Sequence, residues 1–155
     1  MTQSQAAQPI YDAIETMIRS AVPEDARVFP VNMPFQVMST LQREAARIVT
    51  YLITGDRLRV NSSGATPVHE ISVDLNFFGT LTDADAMANA FGALASGEEY
   101  TTNGWTITID QQNRRDIWEP QVAVKHVYMQ FKGLAIAPEP GTDGSSGSVS
   151  ADTQP

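Results

Sequence analysis

The chain is predicted to fold as an α+β domain, with a small mixed or antiparallel β-sheet packed by two helices and a flexible C-terminal tail. Three observations carry that expectation. Val68 to Phe77 alternates strictly, with Ile71, Val73, Leu75 and Phe77 on one side and Glu70, Ser72, Asp74 and Asn76 on the other. A period of two over that length gives a strand with one face on a core and one toward water or a polar partner. Two segments, near the N-terminus and after this strand, carry apolar residues at the three-four spacing of a helix stripe. Finally, the composition changes abruptly after Ala137.

The first helix is expected from Pro9 to Ala21. Pro9 suits the first helical position, where its missing N–H costs nothing, and Ile10, Ile14, Met17, Ile18 and Ala21 form one stripe. Pro23 ends it. Arg27 to Pro34 contains two prolines and should run extended, at most as an edge strand. Phe35 to Ile48 is ambiguous between alternation at Phe35, Val37 and Ser39 and a short helical turn near Leu41 to Ala46; the turn is the expectation. Ile48 to Thr54 is rich in β-branched and aromatic residues and reads as a strand covered on both faces. Gly55-Asp56 interrupts it, and Arg57 to Val60 extends it or opens the polar loop that runs to Pro67.

After the alternating strand, Thr82 is the expected N-cap of a second helix, with Asp85 three residues on as a weak capping box. Its buried stripe is Ala84, Met87, Ala88, Phe91, Leu94 and Ala95, and Gly97 suits a left-handed C-terminal cap. Thr101 to Asp110 reads as one strand with Trp105, Ile107 and Ile109 on one face. Gln111 to Pro120 reads as a polar connection, and Gln121 to Ile136 as the last and longest strand. There Val127, Met129 and Phe131 keep one phase while Val122 and Val124 keep the other, which predicts a bulge or a change of covering near Lys125. Residues 1–137 therefore read as a single domain. Residues 138–155, with Pro-Glu-Pro-Gly and repeated Gly and Ser, cannot bury enough apolar surface to order themselves.

Composition narrows function mainly by exclusion. Eighteen acidic against ten basic residues give a formal net charge of −8, and no Lys/Arg cluster exceeds the pair Arg114-Arg115. Phosphate binding draws its strength from such clusters, so sequence-specific nucleic-acid binding is not expected. There is no cysteine, which excludes thiolate chemistry and disulfides. No secretory pattern or bilayer-length apolar run is present, so a soluble protein made in a cytoplasm, without membrane attachment, is expected.

No G-x-G-x-x-G, P-loop or G-x-S-x-G arrangement occurs. His69 and His126 have no ligand-spaced carboxylates and could share a metal only if their strands were neighbours. The simpler reading is two histidines on a half-exposed sheet face. Asp83 and Asp85 complement a helix dipole, and Glu98-Glu99 read as solvated. Catalytic residues, cofactor and metal are therefore all expected to be none, and the chain is not expected to be an enzyme.

Two places suit protein contact instead. Asn113 to Glu119 sets Trp118 among Arg114, Arg115 and Glu119, a composition favoured at interfaces. Either Trp118 anchors a partner, or it folds onto the core while the arginines pair locally. The segment from Arg57 to Pro67, with Arg57 and Arg59 at its start, is either a plain hairpin connection or a loop that reaches a neighbouring subunit.

Several motifs together resemble the tail terminator (tail-completion) proteins of long-tailed bacteriophages and gene transfer agents. Arg27-Val28-Phe29-Pro30 is similar to that family's short segment after the first helix, and Ile48 to Asp56 to its first core strand. Val68 to Phe78 running into Thr82-Asp83-Ala84-Asp85-Ala86 resembles its strand-to-helix passage. Arg115-Asp116-Ile117-Trp118-Glu119-Pro120 resembles its closing turn. The resemblance spans Pro9 to Ile136. It implies a structural virion protein, assembled in the host cytoplasm, that forms a ring, usually a homohexamer, in the tail-neck region. The implied partners are copies of itself, the tail tube protein and the head-tail connector or stopper protein. DNA would pass through the ring without sequence-specific binding.

Overall fold

The computed structural model describes residues 8–30, 47–60, 67–96, 99–119 and 124–138, with residues 55–60 and 119 described by their backbone. The elements are α1 (Gln8–Ala21), β1 (Arg27–Phe29), β2 (Ile48–Val60), β3 (Pro67–Gly79), α2 (Leu81–Ala95), β4 (Tyr100–Thr102), β5 (Trp105–Glu119) and β6 (Val124–Ile136). The strands form one mixed sheet in the order β1-β2-β3-β6-β5-β4. Among the described residues only β1 and β2 run parallel; every other pair is antiparallel. This is the α+β architecture that the alternation and the two helical stripes predict.

The core lies between the two helices and one face of the sheet. Ile71, Val73, Leu75 and Phe77 of β3 meet Val127, Met129 and Phe131 of β6, Val49, Tyr51 and Ile53 of β2, and Ile107 and Ile109 of β5. Ile10, Ile14, Met17 and Ile18 of α1 and Ala84, Met87, Ala88, Phe91 and Ala95 of α2 close over them. Phe91 sits at the centre, edge-on to Phe131 with ring centroids 5.2 Å apart and 6.3 Å from Phe77. Burying a side chain of that size contributes about 1.5–3 kcal/mol.

Two tyrosines tie α1 to β2. The Tyr11 hydroxyl donates to the Ile53 carbonyl at 3.2 Å and accepts from the Ile53 N–H at 3.0 Å. The Tyr51 hydroxyl donates to Glu15 at 2.8 Å. Burial, reinforced by that hydrogen bond, keeps the Tyr51 hydroxyl neutral well above the usual tyrosine range.

Several expected boundaries move. Thr80, not Thr82, caps α2: its hydroxyl accepts from the Asp83 N–H at 3.2 Å, keeping the same x-x-Asp spacing two residues earlier. Thr101 to Asp110 is not one strand but the corner of a hairpin. Asn103 (φ 53°) and Gly104 (φ 82°) form the turn between β4 and β5. Two consecutive positive φ values suit Asn-Gly, the dipeptide that best matches sheet twist in a two-residue turn. Gln111 to Glu119 is not a connection; it continues β5, held by β6 along its full length. Here cross-strand pairing overrides a composition with too few apolar residues to signal a strand.

The irregularities also lie elsewhere. The β5–β6 register shifts between Gln111 and Asn113 and is continuous past Lys125, where the covering changes instead: Lys125 lies on the helix-covered face and Val124 on the other. Gly55-Asp56 does not end β2 but falls at a register shift between Thr54 and Arg57. Gly133 is required where β6 lies against β5, because a Cβ there would run into the Thr108 carbonyl and come within 2.7 Å of the Ile109 Cα. The expectations for the turn at Leu41 to Ala46, for Gly97 and for the tail 139–155 fall outside the described residues.

Candidate interaction surface

The face of the sheet away from the helices carries the polar residues of the alternation. On β3 and β6 they pair across strands: the Tyr128 hydroxyl donates to Asp74 at 3.0 Å, and His126 Nε2 lies 2.7 Å from the Asn76 side-chain oxygen. The His126 ring stacks on Phe78 with centroids 4.4 Å apart. Burial, then the bond to Asp74, raises the Tyr128 hydroxyl above its ordinary range. Such cross-strand pairs stabilise the sheet on its polar face. The face is not uniformly wet, since Ile48 is fully buried and Thr50 is only 2% exposed.

His69 and His126 do sit on adjacent strands, but His69 pairs with Ala135 while His126 pairs with Phe78. Nine residues of register separate them, roughly 30 Å along the strands at about 3.3 Å per residue. They cannot share one ion within a chain. His69 instead lies beside Trp105, with ring centroids 5.7 Å apart. Among the described residues no group of three or more potential ligands gathers to hold a metal.

At the end of the sheet where β3 runs into α2, five side chains on three elements form a charged network. Arg114 Nε donates to Asp116 at 2.8 Å, its Nη1 to the Asn89 side-chain oxygen at 2.7 Å, and its Nη2 to Asp85 at 3.3 Å. Lys125, nearly covered, sets its Nζ 3.3 Å from Asp116 and 3.5 Å from Asp85. Two cations thus share two carboxylates, which locks α2 onto β5 and β6 where the apolar core has run out. The Arg114 hydrogen bond is the main cause holding the Asp116 carboxyl below the usual range, with Lys125 adding to it against the effect of burial.

The sequence-derived contact residues are therefore divided. Arg114 is engaged inside the chain. Arg115 is exposed on the open face of β5. Trp118 lies opposite Lys125 on the helix-side face and stays 46% exposed. Leu81, the other large exposed apolar residue among the described residues, lies two positions after Gly79, which pairs with Lys125 from β3, so both belong to the same end of the sheet. Arg57 and Arg59 are not in a loop: their backbones pair with Glu70 and Val68 as part of β2. The side chains of Arg57, Arg59 and Glu119 lie outside the described residues.

Asp85, read from the sequence as a dipole partner, was missed as a member of this network. Its signal was available only in space, because Arg114 lies 29 positions away. No helix among the described residues is long and apolar enough to cross a membrane. Comparison with protein-family models and with curated proteins finds no match to this chain.

Proposed function

We propose that this chain is a ring-forming structural subunit of the tail-terminator kind, which caps a phage tail tube and joins it to the head-tail connector. The observation that carries the reading is the placement of the candidate contact residues on opposite flanks of one rigid sheet. Arg57 and Arg59 belong to β2, and Arg115 and Trp118 to β5, with β3 and β6 between them. A ring closes head to tail, so each subunit must present two different surfaces on opposite sides. The resemblance from Pro9 to Ile136 supplies the kind of ring. The net charge of −8 suits a bore through which DNA passes without adhering.

Negative-stain images of the purified protein mixed with tail tube protein test the proposal. Closed rings seated on tube ends are expected. A strict monomer that never engages a tube end counts against it, and long tubes built of this chain alone would make it a tube component.

A further inference from the structure

The flank of the sheet that holds Arg57 and Arg59 ends in β1, which pairs only with β2 among the described residues. On the opposite flank β4 covers β5 only from Trp105 to Ile107, so the far end of β5 also presents an open edge among the described residues. Open edges are templates for another strand. β1 runs parallel to β2, and three antiparallel steps lead from β2 through β3 and β6 to β5. β1 and β5 are therefore antiparallel. Two copies standing side by side in the same orientation bring these edges together as an antiparallel pair. A head-to-tail ring needs that relation, because rotation about its axis inverts no subunit.

The backbone groups are in phase for such a pair. The Arg27 N–H donates to the Arg47 carbonyl at 3.0 Å, on the β2 side, so the N–H and C=O of Val28 point outward. In the two-residue hairpin Thr102 and Trp105 bond each other, so the odd-numbered residues of β5 point outward as far as Gln111. The extra residue between Gln111 and Asn113 passes that role to Arg114, Asp116 and Trp118.

Val28 can thus meet any of three residues, and the side chains choose among them. Opposite Arg114, it sets Arg27 against Arg115. Opposite Asp116, every apolar residue of the two segments faces a charge. Opposite Trp118, the exposed Arg27 is set against Glu119, Phe29 against Ile117, and Val28 against the half-exposed indole on the helix-side face. We propose that β1 of each subunit adds to the end of β5 of the next in this last register, as the lateral joint of the ring. The joint rests on the ring reading above and names the strands through which neighbouring copies meet. It also gives Trp118 a cover that its own chain does not supply.

Cysteine crosslinking tests the joint in a chain that has no native cysteine. Opposed residues of an antiparallel pair have Cα atoms about 4.5–5.5 Å apart, within disulfide reach. Inside one chain Arg27 and Glu119 are separated by the width of β2, β3 and β6, about 19 Å and beyond that reach. Mild oxidation of the Arg27→Cys/Glu119→Cys chain, mixed with tail tube protein, should give a ladder of covalent oligomers on a denaturing gel, and neither single variant should. Arg27→Glu should reduce the rings counted in images about tenfold, and Arg27→Glu with Glu119→Arg should restore them, with far-UV circular dichroism unchanged throughout. Closed rings whose double-cysteine chain stays uncrosslinked, or rings indifferent to Arg27→Glu, overturn the joint and leave the ring reading standing. A ladder from open chains that never close supports the joint and overturns the ring. Neither rings nor ladder overturns both.

Discussion

The Arg114 guanidinium donates through Nε to the Asp116 carboxylate at 2.8 Å, two residues along the same strand, while Nη2 of the same group reaches Asp85 on α2 at 3.3 Å. One side chain thus fastens the helix to the sheet edge beside the exposed Trp118. The arrangement explains why so polar a segment holds strand geometry.

Its first consequence is a pH dependence. Asp116 binds its proton more weakly in the folded chain than in the unfolded chain, chiefly through Arg114. Its contribution to stability is therefore complete above the usual aspartate range and is lost as pH falls through the lowered folded value. The difference in melting temperature between the native chain and Asp116→Asn should be constant from pH 7 to pH 5 and close below about pH 4. Thermal melts across that range check it.

The helix cap separates two neighbouring threonines. Thr80→Ala removes the acceptor for the Asp83 N–H and should cost about 1 kcal/mol. Thr82→Ala, one residue inside α2 and exposed, should change stability by less than about 0.5 kcal/mol. Urea denaturation of the two variants distinguishes them.

Phe91 is fully buried between Phe77 and Phe131. Phe91→Ala should cost about 3–5 kcal/mol, measured as a lower urea midpoint with an unchanged slope.

Trp118 should behave in the opposite way. Because it is about half exposed, Trp118→Ala should leave the melting temperature within a few degrees while weakening self-association measured by sedimentation. A steep fall in melting temperature would make it a core residue and remove it from the interface.

The helices and the core strands were legible because burial imposes a period on the residues that face it. Ile10 to Ile18 and Ile71 to Phe77 could be placed from spacing alone, and the structure buries them as expected. The strand from Gln111 to Glu119 was not legible, because its cover on the helix side is charged: Arg114 and Asp116 occupy positions where a strand pattern leads one to seek apolar residues. The Asn103-Gly104 turn is present in the sequence but sits at the head of a longer alternating run, where Trp105, Ile107 and Ile109 mask it. The candidate surface was half legible: Trp118 among charges stands out in the sequence, but the pairing of Arg114 with Asp85 across two elements depends on the fold.

The central claim, that the chain ends tube growth by seating on the tip, is tested most directly by polymerising tail tube protein with and without it and measuring tube lengths. Tubes are expected to stop elongating and to carry a closed ring of this chain at one end. Tubes that grow to the same length distribution, with bare ends, would contradict it.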